Sequence, residues 1–265
     1  MPATQTTTTI NPTHTQASIV TALKNAFAAA GYPALYADST SGTDRILVYQ
    51  LVFDANKIYG TSYLRLKITT ALAVTQQLFT AWNIAAVTGT NGGVESTATT
   101  FSANVPIEVR TFAKTTGEFR VIALSQGTPY GLFGYIRPET RHPSFDEDTA
   151  PFIFQSNNIW TANPFLTWQS SGLTPYSGTG NTAFTSSMGT ATMSAANPVN
   201  NKRDILAGMV LFASTNQGVA AKSSEDLVSV AATGLSRFDS IQVVAGSEEY
   251  VLLFPGAGTM GVRII

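Results

Sequence analysis

The clearest periodicity lies near the start of the chain, where Ile19, Leu23, Phe27 and Ala30 recur at helical spacing. Thr13 and Gln16 ahead of them have capping-box spacing, and Gly31 with Pro33 ends the run, so a helix is predicted over 16–30. Its apolar stripe needs a sheet or a partner chain to cover it. From Asp44 the period changes to two. Arg45 to Phe53 is a nearly continuous apolar run, the pattern of a strand buried on both faces. Asp54-Ala55-Asn56 reads as a turn. Tyr63 to Thr69 then alternates, with Leu64, Leu66 and Ile68 on one face and Arg65 and Lys67 on the other. Residues 71–82 carry two signals. Leu72, Thr75, Phe79 and Trp82 fit one helical face while the threonines favour a strand, and a short helix is the expectation.

Asn91-Gly92-Gly93 marks a turn. Val105 to Phe112 and Glu118 to Leu124 flank Lys114-Thr115-Thr116-Gly117, a short hairpin loop. Tyr130 to Ile136 reads as a strand weakened by Gly131 and Gly134. Strand patterns return at Ile205 to Phe212, Asp226 to Ala231, Ser240 to Ala245 and Glu249 to Phe254, with Met260 to Ile265 as a terminal edge strand. Short strands at this spacing predict a mainly β fold: an antiparallel β-sandwich or barrel-like body with an N-terminal α-helix. No fixed-period repeat points to a solenoid or propeller. Four regions follow. Residues 1–15 are expected to be a flexible arm, its 2–12 stretch being Thr, Pro and Asn with little to bury, ordered only by lying on a neighbour. Residues 16–148 hold the helix and a β-rich part, and 149–201 form a long loop excursion. Residues 202–265 complete the same domain or make a second small β domain.

Composition narrows the chemistry. Charged residues are 12% of the 265, about half the usual ~25%. Threonine supplies 37 positions, so a polar, uncharged surface replaces the usual Lys/Glu one. A net charge of -1 speaks against a broad face for nucleic-acid phosphates or acidic lipid. There is no cysteine, which excludes disulfides, thiolate metal sites and cysteine nucleophiles. His14 and His142 are the two histidines, too few for a multi-histidine metal site. The start carries no basic region followed by an apolar stretch, so no Sec leader is expected, and no apolar run approaches the ~18 residues of a membrane span. The expectation is a protein made soluble in a host cytoplasm.

Gly256-Ala257-Gly258-Thr259-Met260-Gly261 spells G-x-G-x-x-G after an apolar run. That fingerprint needs a helix N-terminus for the pyrophosphate and an acidic ribose ligand beyond it, and the sequence offers neither. A Gly-rich turn between strands is expected. Arg137, Glu139, Arg141, His142, Asp146, Glu147 and Asp148 form the one dense ionisable cluster. Asp146 and Asp148 lack the spacing and glycine of a calcium loop. Surface ion pairs, a subunit contact or a cation remain open there. Neither histidine has a placed Ser/Asp partner, and no G-x-S-x-G elbow occurs. No catalytic residue, metal site or cofactor is expected. From Thr149 to Asn201 the chain has no charged residue, only Asn, Ser, Thr, Gly and Pro interleaved with aromatics. Trp160, Phe165, Trp168 and Tyr176 are the candidate interaction residues. They suit a subunit interface, a self-packed loop or sugar-stacking platforms.

Taken together, the chain resembles the virion structural proteins of tailed bacteriophages. The Thr-rich start, the helix QASIVTALKNAFAAAGY, the strands RILVYQLVF and YLRLKITT, the uncharged excursion and the close YVLLFPGAGTMGVRII carry the resemblance. It implies a component of a tail, baseplate, neck, fibre or capsid surface located in the virion. Copies of itself and other virion proteins would be its partners, with no enzyme activity, cofactor, nucleic acid or membrane. A globular ring or knob fits better than a fibre shaft, since heptads and Gly-x-y tracts are lacking. A carbohydrate-binding or host-adhesion module, holding a surface glycan through the aromatics of 149–201, is the alternative.

Overall fold

The computed structural model describes residues 2–56, 60–90, 92–93, 95–137, 139–141, 151–154, 161–162, 184–186, 196–199, 202–208, 210–214, 218–242, 247–253 and 259–265. Along the chain, β1 spans Thr4–Ile10, α1 Gln16–Ala29, β2 Leu35–Ser41, β3 Asp44–Val52, β4 Thr61–Ile68 and β5 Ala73–Phe79. Short strands β6 (Ala81–Asn83), β7 (Thr88–Thr90) and β8 (Thr99–Thr100) precede β9 (Ile107–Ala113), β10 (Phe119–Ser125) and β11 (Tyr130–Ile136). Next come β12 (Thr140–Arg141), β13 (Phe152–Ile153), β14 (Thr161–Ala162) and β15 (Phe184–Ser186). The remaining strands are β16 (Ile205–Ala207), β17 (Val210–Ser214), β18 (Gly218–Lys222), β19 (Leu227–Val230), β20 (Ser240–Gln242), β21 (Glu249–Leu252) and β22 (Thr259–Arg263).

All described strand pairs are antiparallel, and the fold is mainly β with a sandwich-like body. The first sheet runs β2-β3-β4-β5-β8, the middle sheet β1-β9-β10-β11-β13 and the third β16-β19-β22-β21-β20. A fourth runs β12-β18-β17-β15-β14, and β6 pairs with β7. The middle sheet is covered on both faces. On β10, Ile122 and Leu124 join the core shared with α1 and the first sheet, while Phe119, Val121 and Ala123 join the core shared with the third. The strand period of two divides one strand between two cores. In the first core Phe27 of α1 is fully buried and stacks on Tyr49 of β3 at 4.6 Å. Burying such a ring stabilises by about 1.5–3 kcal/mol.

The helix forms where its apolar spacing predicts, but its capping box is two residues on, Thr15 with Ser18 rather than Thr13 with Gln16. Ser18 N–H donates to Thr15 Oγ1 at 3.2 Å and Thr15 N–H to Ser18 Oγ at 2.9 Å. The Gln16 amide instead donates to the carbonyls of Thr43 and Ile68, fixing the helix start to the first sheet. The short helix expected within 71–82 is absent. Residues 69–72 turn the chain, with Leu72 N–H donating to Thr69 O at 3.1 Å, and β5 returns along β4. Both faces of β5 are buried, Val74 and Leu78 in the first core and Phe79 against Trp82. A strand between two apolar layers satisfies more of those side chains than one helical stripe can.

Two further expectations change. Residues 4–10, expected within a flexible arm, are strand β1, paired along its length with β9 of the same chain. The closing strand β22 lies inside the third sheet between β19 and β21 rather than at its edge. Residues 259–263 being strand also leaves no helix N-terminus after the G-x-G-x-x-G spelling.

Candidate interaction surface

β1 is the outermost strand of the middle sheet. Its β-branched threonines suit extended backbone, and its register runs from Thr4↔Ala113 to Ile10↔Ile107. Thr6 and Thr111 share a hydroxyl hydrogen bond of 2.6 Å, and Thr4 Oγ1 donates to Ala113 O at 3.1 Å. Ala3, buried, donates its N–H to Arg263 O at 3.1 Å and so ties the start of the chain to the third sheet. One side of β1 is thereby satisfied. The other long edge carries backbone donors and acceptors with no strand beside it among the described residues.

Natural edge strands are blunted by charge, proline or bulges. The first sheet follows that rule: its edge strand β2 carries Asp38, ion-paired with both Lys24 and Arg45. β1 has none of these devices. Its sequence TQTTTTI holds no charge, and Thr4 and Thr6 to Thr9 are exposed. The neighbouring acid and base on β9, Glu108 and Arg110, neutralise each other at 2.7 Å. Between β1 and α1 runs a groove of about 770 Å³. Its helix wall presents Ala17, Thr21, Ala22 and Asn25, and its floor Val109 and Thr111. Edge and groove together make an uncharged surface of small side chains, able to take an added strand through backbone hydrogen bonds.

Of the residues singled out from sequence, His14 is described. Trp160, Phe165, Trp168 and Tyr176 lie outside the described residues, as do His142, Asp146, Glu147 and Asp148. His14 is structural: it is buried, its Nε2–H donates to Val105 O at 2.7 Å and its backbone N–H to Ala103 O. No group of acids and histidines able to hold a metal occurs among the described residues, and no helix among them is long and apolar enough to cross a membrane. The threonine run was the legible signal for β1. It reads as disorder until β9 supplies an edge. Comparison of the chain with protein families, curated proteins and solved structures gives no match.

Proposed function

We propose that this chain is a structural component of a phage-like virion, a tail, baseplate, neck or surface-knob subunit that assembles with copies of itself and performs no catalysis. The observation that carries the reading is the uncharged, unguarded edge of β1 beside the groove of α1. A monomer gains nothing from such an edge and risks aggregation through it. In a symmetric assembly the same edge supplies directional contacts that multiply with copy number. The low charge fits too, because uncharged contacts hold across a wide range of salt.

The test is native mass by light scattering across a concentration series, for the wild type and for Thr7→Lys/Thr9→Lys. Both positions are exposed, so the lysines guard the edge without touching the core. A discrete oligomer that weakens in the double variant, at unchanged far-UV circular dichroism, is the expected result. A strict monomer at every concentration overturns it and moves the reading to host adhesion through 149–201. Glycan-array binding lost in Trp160→Ala or Trp168→Ala would then be the decisive observation.

A further inference from the structure

At one end of the sandwich the first and middle sheets part around a cavity of about 610 Å³. The residues after α1, the start of β2, the end of β3 and the β10–β11 face of the middle sheet enclose it. Arg120 on β10 is directly opposite Tyr135 on β11, and Arg137 stands two residues beyond Tyr135. The period of two brings all three to the same face. The Arg120 guanidinium lies over the Tyr32 ring, 5.7 Å from its centroid, and that of Arg137 over Phe53 at 5.3 Å. The Tyr135 hydroxyl donates to Gly117 O at 3.2 Å. Burial raises its pKa, and the two nearby guanidinium groups offset part of that rise.

These two arginines differ from the others in how they end. The other described arginine side chains reach an acid, as Arg45, Arg65, Arg110 and Arg263 do, or backbone carbonyls, as Arg203 and Arg237 do. Among the described residues no acid pairs with Arg120 or Arg137. The acid beside the wall, Glu118, accepts a hydrogen bond from the Thr116 hydroxyl. Two guanidinium forks with no acid partner among the described residues, held against aromatic rings in a concavity, match carboxylate and phosphate oxyanions. The volume lies within the ~300–1,000 Å³ of small-molecule sites, too large for a bare inorganic ion. Tyr36, Phe53 and Tyr135 add aromatic wall, and Gln50 and Thr116 add polar groups.

We propose that this cavity binds a small organic anion, a carboxylate or phosphate carried on a ring of monosaccharide size. Arg120 and Arg137 hold the oxyanion and the aromatic wall holds the ring. The site is separate from the β1 edge and stands whether or not the chain assembles.

The experiment is calorimetric titration of the full chain at low salt with glucuronate, glucose 6-phosphate, glucose and inorganic phosphate. One or both anionic sugars bind, with glucose and inorganic phosphate at least about tenfold weaker. Arg120→Gln and Arg137→Gln each weaken binding by about tenfold or more. Their melting temperatures stay near wild type, because neither side chain gives up an ion pair among the described residues. The better of the two anionic sugars identifies the oxyanion. Inorganic phosphate binding as tightly as glucose 6-phosphate overturns the organic part of the proposal. Failure of every probe to bind, or equal binding by both variants and wild type, overturns the site.

Discussion

Gln76 shows how much one buried amide can hold. It is 1% exposed, and both ends of its side chain are bonded. Nε2 donates to Leu132 O at 3.1 Å and to Phe154 O at 2.9 Å, and Oε1 accepts from Gly134 N–H at 2.9 Å. A first-sheet residue thus satisfies three backbone groups in and beside the middle sheet. Gly134 is glycine for a related reason: with φ +107, a Cβ there would stand 2.1 Å from Arg120 O. Gln76→Leu keeps the volume but removes its hydrogen bond from all three groups, so a loss of about 3 kcal/mol is expected from the urea midpoint. A loss below about 1 kcal/mol would show that other partners take over. Charge acts at the same scale. Burial works against ionisation of Glu95, yet Lys67, Thr75 and Arg65 together bring its carboxyl below its ordinary value. A depressed folded pKa means that the unfolded chain binds the proton more readily. The stabilisation is therefore complete above the unfolded value of about 4.3 and is lost as pH falls through the folded one. Glu95→Gln is expected to be less stable at pH 7, where it strands Arg65, and to lose less stability than wild type on acidification. Parallel stability–pH curves below about pH 4 would refute this.

Elements were legible in proportion to how local their causes are. The stripe Ile19, Leu23, Phe27 and Ala30 locates α1, because all four are buried on one face. The alternation Leu64, Leu66, Ile68 locates β4 for the same reason, each being 0% exposed. What failed depends on partners distant in sequence. β5 was hidden because both of its faces are buried, which erases the alternation that marks a strand. β1 was hidden because threonine hydroxyls gain partners only once β9 arrives, about a hundred residues later. Its lack of charge was plain in the sequence, but its place at a sheet edge was not. The arginine cavity was less legible still. Arg120 and Arg137 looked like members of a strand and of a charged loop, and only the β10–β11 register puts them on one face with Tyr135. Trp160, Phe165, Trp168 and Tyr176, picked from the strongest compositional signal, fall outside the described residues.

At the scale of the whole molecule, the question is whether the third sheet unfolds with the rest. Two kinds of contact join it to the middle sheet. One is apolar: Phe112, Phe119 and Val121 pack in one core with Leu227, Leu253, Met260 and Val262. The other is ionic, at the turn after β9. Lys114 Nζ lies 2.9 Å from Asp226 Oδ2 and donates to Ser224 Oγ at 3.0 Å, and Arg263 reaches Asp226 at 3.6 Å. Burial opposes the Lys114 charge, but Asp226 holds its pKa above the ordinary lysine value. The apolar contact decides cooperativity, because fully buried side chains from both sheets cannot be exposed one sheet at a time without uncovering the other. Asp226→Asn removes the acid from between Lys114 and Arg263 and is expected to cost about 3 kcal/mol, as breaking a part-buried pair does. It should lower the melting temperature of one transition. Hydrogen exchange should rise together in β9, β10, β19 and β22. If exchange rises first in β19 and β22 alone, or a second transition appears, the ionic clamp rather than the shared core is what couples the sheets, and residues 202–265 form a folding unit of their own.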